Sequence, residues 1–109
     1  MLQTCSDDSN FYCGNGTTSA ASAVDYSGTT VQNQADSGTP TQGVTFSVGV
    51  ADSLFANPAN LYFNNLAGPA GSSMSGYWDW GLPFFFERYV YTAIAGQPVC
   101  GQKTPFIAY

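Results

Sequence analysis

The first constraint on chemistry is a missing residue: the 109-residue chain contains no histidine. A Ser-His-Asp or Cys-His nucleophile cannot be assembled from it, because the general base of both is an imidazole. With three scattered cysteines and no C-x-x-C pair, the ligand spacing of a structural zinc site is also missing, and no metal is expected. Two glycine-rich stretches imitate known loops and fail on detail. Gly71-Ser72-Ser73-Met74-Ser75-Gly76 lacks the G-x-S-x-G spacing of a nucleophile elbow and follows a Gly-Pro loop rather than a strand. Between Gly96 and Thr104, Gln102 separates Gly101 from Lys103 and Pro98 interrupts the strand-to-helix context of a phosphate loop, so no cofactor is expected.

Two constellations remain. Asp36-Ser37-Gly38-Thr39 has the D-[ST]-G-[ST] pattern that presents a catalytic carboxylate in aspartic peptidases. Such aspartates emerge from an apolar strand, so that two carboxylates can share a proton in a partly desolvated site. Here the preceding Val31-Gln32-Asn33-Gln34-Ala35 is mostly polar, and a hairpin turn accounts for the four residues. Asp36 is the lone catalytic candidate, set beside that turn. The second constellation is Tyr77-Trp78-Asp79-Trp80, which could form a stacking platform for sugar rings with Asp79 accepting hydroxyl hydrogen bonds. The alternative is core packing, in a glycine-rich chain that must draw its apolar area from few large side chains. A carboxylate between two tryptophans must be hydrogen-bonded or face solvent, which makes Asp79 the leading site residue.

The elements that must hold these residues follow from composition. Only 8% of residues are charged, and the net charge is −5 with Arg88 and Lys103 the only basic residues. Clustered basic residues are what phosphate contacts require, so a nucleic-acid partner is excluded, and an anionic membrane surface is disfavoured for the same reason. No run approaches the length of a membrane helix, so no transmembrane segment is expected; the aromatic stretch at residues 84–86 ends at Glu87 and Arg88. A chain of this length supports one domain, read here as a single β domain over residues 1–109.

Cys5 and Cys13 lie in a turn-rich polar stretch, at a spacing that could close a small disulfide loop; two free thiols are the alternative. Neither sits in a run that would bury it, and a bridge implies an oxidising, extracytoplasmic location. Cys100 is then either buried as a small apolar residue or paired outside the segment. The opening Met1-Leu2-Gln3-Thr4-Cys5-Ser6-Asp7-Asp8 has no basic and apolar export signal, and the chain is read as the C-terminal part of a longer exported precursor.

Residues 1–19 read as loop, and Ala23, Val24 and Tyr26 begin a short strand that residues 29–34 continue or pair with. The clearest strand is residues 44–50, where strict alternation puts Val44, Phe46, Val48 and Val50 on a core face. Turn formers at residues 36–43 suggest a long-looped hairpin. Further strands are expected at residues 61–63, 89–94 and 106–109, a surface loop or flap at 68–76, and a short helical turn near residues 82–87. The fold class is all-β, a small, partly open barrel or sandwich.

Trp78-Asp79-Trp80-Gly81-Leu82-Pro83-Phe84-Phe85-Phe86-Glu87-Arg88-Tyr89-Val90-Tyr91, the closing Pro105-Phe106-Ile107-Ala108-Tyr109, the Cys5 to Cys13 segment with Phe11-Tyr12, and Tyr62-Phe63-Asn64-Asn65-Leu66-Ala67-Gly68-Pro69 together resemble an uncharacterised bacterial family, domain of unknown function 3443. Glu87 stands where the resemblance leads one to expect glycine. The resemblance implies a secreted, periplasmic or lipoprotein-anchored protein, with D-[ST]-G segments upstream that resemble the aspartic-peptidase fold. On that analogy residues 80–91 are similar to the apolar-apolar-Gly strand, short helix and return strand that close a pepsin-like lobe, although Asp79 replaces an apolar residue. A partial peptidase-like lobe is then implied, with its catalytic aspartate outside the chain and no activity of its own. The alternative is a noncatalytic module that binds glycans or proteins through its aromatic residues. A lobe lacking a strand would leave an open sheet edge, favouring self-association.

Overall fold

Alternation over residues 44–50 decides which side chains turn inward. In the computed structural model, which describes residues 1–18, 20–28, 31–34, 38–74, 76–101 and 104–109, Val44, Val48 and Val50 are buried and Phe46 is half-buried. The regular strand within this stretch is shorter than the alternation. Strand β1 (Val24–Tyr26) pairs antiparallel with β4 (Phe46–Val48), Tyr26 opposite Phe46. Nested between them, β2 (Gln32–Gln34) pairs antiparallel with β3 (Thr41–Gly43).

Thr41–Gly43, expected among the turn formers, are therefore a strand paired with β2, and β4 takes β1 as its partner. The inner hairpin is anchored by two buried valines: Val44 N donates to Val31 O at 3.0 Å, and both side chains leave solvent. Its backbone also passes so close to Gly28 that a Cβ on Gly43 would strike the Gly28 carbonyl oxygen, which explains why glycine stands where the strand turns towards Val44.

The hydrophobic cluster centres on the N-terminal loop. Cys5 and Cys13 are disulfide-bonded. Contrary to the expectation from their polar neighbours, both are buried, packed with Val50 and Ala51 against Phe11, Ala21 and Leu66. A bridge between Thr4 and Tyr12 and a second between Cys13 and Val50 tie this loop to the end of β4. Gly14, at φ +61°, turns the chain out of the bridge where a Cβ would collide with the Ser22 carbonyl oxygen.

The structure departs from the sequence reading at two places. Residues 51–56 form a helix, α1 (Ala51–Ala56), in a stretch to which the sequence assigns no element. Six residues are too few for helical periodicity to show, and Phe55 is held by edge contacts with Phe11 and Phe63. Residues 61–63 are not a strand. Leu61 is exposed, and the segment is tied down by isolated bonds, Asn60 Nδ2 to Leu54 O at 2.9 Å and Gly49 N to Asn65 O at 2.8 Å, with no ladder partner among the described residues. Of the two alternatives left open for Cys100, burial is set aside, because the residue is exposed.

The C-terminal half contains 3-10 turns at Ser72–Met74 and Leu82–Phe85, the second matching the expected helical turn, and a final antiparallel ribbon of β5 (Tyr91–Ala93) and β6 (Phe106–Ala108). Residues 77–81 are not a strand, so of the lobe-closing pattern the helical turn and a return strand are present and the leading strand is missing. The described fold is all-β in character: three two-stranded antiparallel sheets, open rather than closed into a barrel. No helix among the described residues is long and apolar enough to cross a membrane.

The disulfide closes a loop of sequence separation 8. Chain-entropy reasoning assigns such a loop about 2.5 kcal/mol. Reduction is expected to lower the unfolding free energy by about that amount, read from urea titrations with and without reductant; an unchanged midpoint would contradict the loop's structural role.

Candidate functional site

Phe46 projects from β4 into a cluster of rings. Its centroid lies 5.0 Å from Tyr26, nearly parallel to it, and 4.9 and 5.2 Å from Trp78 and Trp80, which meet it edge-on. Trp80 continues to Phe84 at 4.6 Å, and Phe84 to Tyr109 at 5.4 Å. The irregular segment 77–81 is therefore positioned by ring contacts rather than by a backbone ladder. The two indoles differ in their polar edges. Trp80 Nε1 donates to Asn33 Oδ1 at 2.6 Å, which pins its ring to β2. Trp78 Nε1 has no partner among the described residues; because no half-buried side chain there hides an unpaired polar atom, that N–H meets solvent.

Alongside this cluster lies a cavity of about 660 Å³. Its lining includes Phe46, Trp78 and Trp80, the stretch 66–71 and, among its polar residues, Asp79, Asn64 and Arg88. Tyr77, 75% exposed, stands at the rim. The four residues singled out as a ligand platform are thus brought to one cavity. Trp78 and Trp80 combine the two readings offered for them, since each is half-buried in the ring cluster and also lines the space. Asp79 is exposed and has no hydrogen-bond partner among the described residues, so it faces solvent. Asp36, the catalytic candidate, lies outside the described residues.

Arg88, which sequence reasoning passed over, is a clamp. Its guanidinium donates to Phe84 O at 3.2 Å and Thr45 O at 2.9 Å and lies 4.4 Å from the centre of the Phe84 ring. It joins the aromatic turn to the chain just before β4. The signal was its place beside Phe84-Phe85-Phe86, where a cation can stack on a ring.

Glu87 adopts φ +61°, the left-handed region that favours glycine, in agreement with the glycine expected there by family resemblance. Its carboxylate accepts a hydrogen bond from Tyr62 Oη and another from Asn64 Nδ2 at 3.1 Å, which holds the 61–65 segment against the aromatic turn. The bond from Tyr62, then that from Asn64, holds the Glu87 carboxyl below its ordinary range, and the same bond and the nearby negative charge raise the Tyr62 phenol.

Cys5, Cys13 and Asp52 place their potential ligand atoms within 4.8 Å of one another, but the two sulfurs are bonded to each other and so are not thiolate ligands.

Together these features define an all-β domain with an aromatic-walled cleft. The chain belongs to the family described as Protein of unknown function (DUF3443), whose model matches residues 1–109. No curated protein and no solved structure matches it.

The Glu87 contribution to stability is full above the ordinary carboxylate pKa of 4.5 and is lost as pH falls through its lowered folded value. That of Tyr62 is full below 10.0 and is lost as pH rises through its raised value. Tyr62→Phe is expected to move the Glu87 titration, followed by carboxyl-carbon NMR, upward towards its ordinary value. An unmoved titration would show that the contact does not form in solution.

Proposed function

We propose that this chain is a noncatalytic, peptide-binding β domain of an exported, aspartic-peptidase-like protein, and that any carboxylate chemistry of the whole protein comes from elsewhere. The observation that carries the noncatalytic part is the composition of the cleft: among its described lining residues Asp79 is the one carboxylate. An aspartic-peptidase mechanism needs two carboxylates sharing a proton, and no histidine is present to replace either.

Peptide is favoured as ligand by the small residues in the lining of the cleft. Gly68, Pro69 and Ala70 are exposed and have little side chain to cover their main chain, so the Gly68 and Ala70 N–H groups and the three carbonyls can meet an extended peptide. The Trp78 N–H and the Asp79 carboxylate add one donor and one acceptor, and Tyr77 a rim ring. A glycan is the second reading, favoured by Asp79 beside the exposed Tyr77 ring, an acceptor for sugar hydroxyls next to a stacking surface. The extracytoplasmic location rests on the buried Cys5–Cys13 bridge, which a reducing compartment would work against. Open sheet edges make self-association part of the same reading.

Calorimetry with peptides of a casein digest, and in parallel with chitin oligosaccharides, tests this. Peptide is expected to bind without being cleaved at acidic pH, and Tyr77→Ala to weaken binding roughly 3- to 10-fold while leaving the fold unchanged. Binding of oligosaccharide alone would transfer the site to the glycan reading. Cleavage by the chain itself, sensitive to a transition-state-mimic inhibitor, would overturn the noncatalytic assignment.

A further inference from the structure

Burial alternates along the segment that brings the indoles to the cleft: Tyr77 is exposed, Trp78 half-buried, Asp79 exposed and Trp80 half-buried. The indoles meet Phe46 in the ring cluster, and Tyr77 and Asp79 are left to solvent, both in the lining of the cavity. A bare carboxylate and a largely bare ring thus stand two residues apart at one opening.

The charges around them are unequal. The Asp79 carboxylate accepts no hydrogen bond and joins no ion pair among the described residues, so both of its oxygens are open to a ligand. Among the described lining residues the one cation is Arg88. That guanidinium is directed elsewhere: it donates to Phe84 O and Thr45 O and lies 4.4 Å from the centre of the Phe84 ring. A second negative group borders the cleft, because the lining residue Asn64 donates through Nδ2 to the Glu87 carboxylate at 3.1 Å. The chain as a whole carries −5, and a field of that sign draws cations and repels anions. The face of the exposed Tyr77 ring is itself attractive to a cation.

We infer that the cleft selects peptides by a basic side chain, arginine or lysine, whose cation pairs with the Asp79 carboxylate and lies against the Tyr77 ring. A guanidinium suits both partners, since its planar fork matches a carboxylate and its flat face stacks on a ring. The inference rests on the peptide-binding reading of the cleft and adds to it the chemistry of the residue selected. Asp79 is then the specificity determinant, and the small residues at 68–70 meet the ligand main chain whatever its sequence.

The test is calorimetry of the 109-residue chain with three end-blocked peptides, Ala-Ala-X-Ala-Ala, in which X is arginine, its neutral isostere citrulline, or glutamate. The arginine peptide is expected to bind about fivefold more tightly than the citrulline peptide, and the glutamate peptide more weakly than either. Added salt is expected to shrink the arginine advantage, a readout on the unaltered chain that needs no variant to fold. Asp79→Asn, with its fold checked by circular dichroism, is expected to bring the arginine and citrulline peptides to within about twofold of each other. Equal binding of those two peptides by the unaltered chain, an arginine preference that salt and Asp79→Asn leave intact, or tighter binding of the glutamate peptide would each overturn the inference while the peptide reading stands. Binding of none of the three also overturns it; the peptide reading survives that result if casein-digest peptides bind, and falls with it if they do not.

Discussion

Most of the structure depends on one side chain, Phe46, and the rings that surround it. Few regular elements contact one another here: each of the three sheets has two strands, and the strand pairs account for the substantial contacts between elements. What joins the nested hairpins of the N-terminal half to the irregular C-terminal half is the chain of rings from Tyr26 through Phe46, Trp78 and Trp80 to Phe84 and Tyr109. Each well-placed ring pair adds roughly 0.5–1.5 kcal/mol beyond burial, and pairs in series fix relative orientation as well. The Asn33 bond to the Trp80 indole and the Arg88 clamp on Phe84 lock two neighbouring rings of that chain.

The same packing makes the cleft. Rings used as glue in a chain with little regular structure cannot all be enclosed, so one side of the cluster remains as lining of a cavity that the stretch 66–71 also lines. Core packing holds one side of these rings, and the other side lines the cleft. The polar groups follow a similar division. Asn33, Arg88 and Glu87 are occupied with holding segments together, while Asp79 and the Trp78 N–H are left to solvent. Shape and a few unsatisfied polar groups are what the proposed recognition would use.

The sequence made the buried face of residues 44–50, the final strand, the turn at Leu82–Phe85 and the Cys5–Cys13 pairing legible, since alternation, proline position and cysteine spacing are local signals. It was silent on what depends on distant partners. The pairing of β1 with β4 around an inner hairpin, the burial of a bridge whose neighbours are polar, and the failure of residues 61–63 to find a ladder are set by segments far away in sequence. The aromatic site residues were legible as types, and their gathering at one cavity was not, because no strand carries residues 77–81. Glu87 was the reverse case: an unusual residue at a glycine position marked a left-handed backbone that its hydrogen bonds to Tyr62 and Asn64 help to hold.

The central claim is that one ring cluster is both the structural joint and the binding wall, with Trp80 serving the first role and Trp78 open to the second. The two indole N–H signals of the nitrogen-15-labelled protein, followed by NMR as casein peptides are added, test this most directly. The account predicts that the Trp78 signal shifts saturably while the Trp80 signal, held by Asn33, stays in place. Movement of Trp80 with Trp78 unchanged, or no movement of either through the titration, would contradict it.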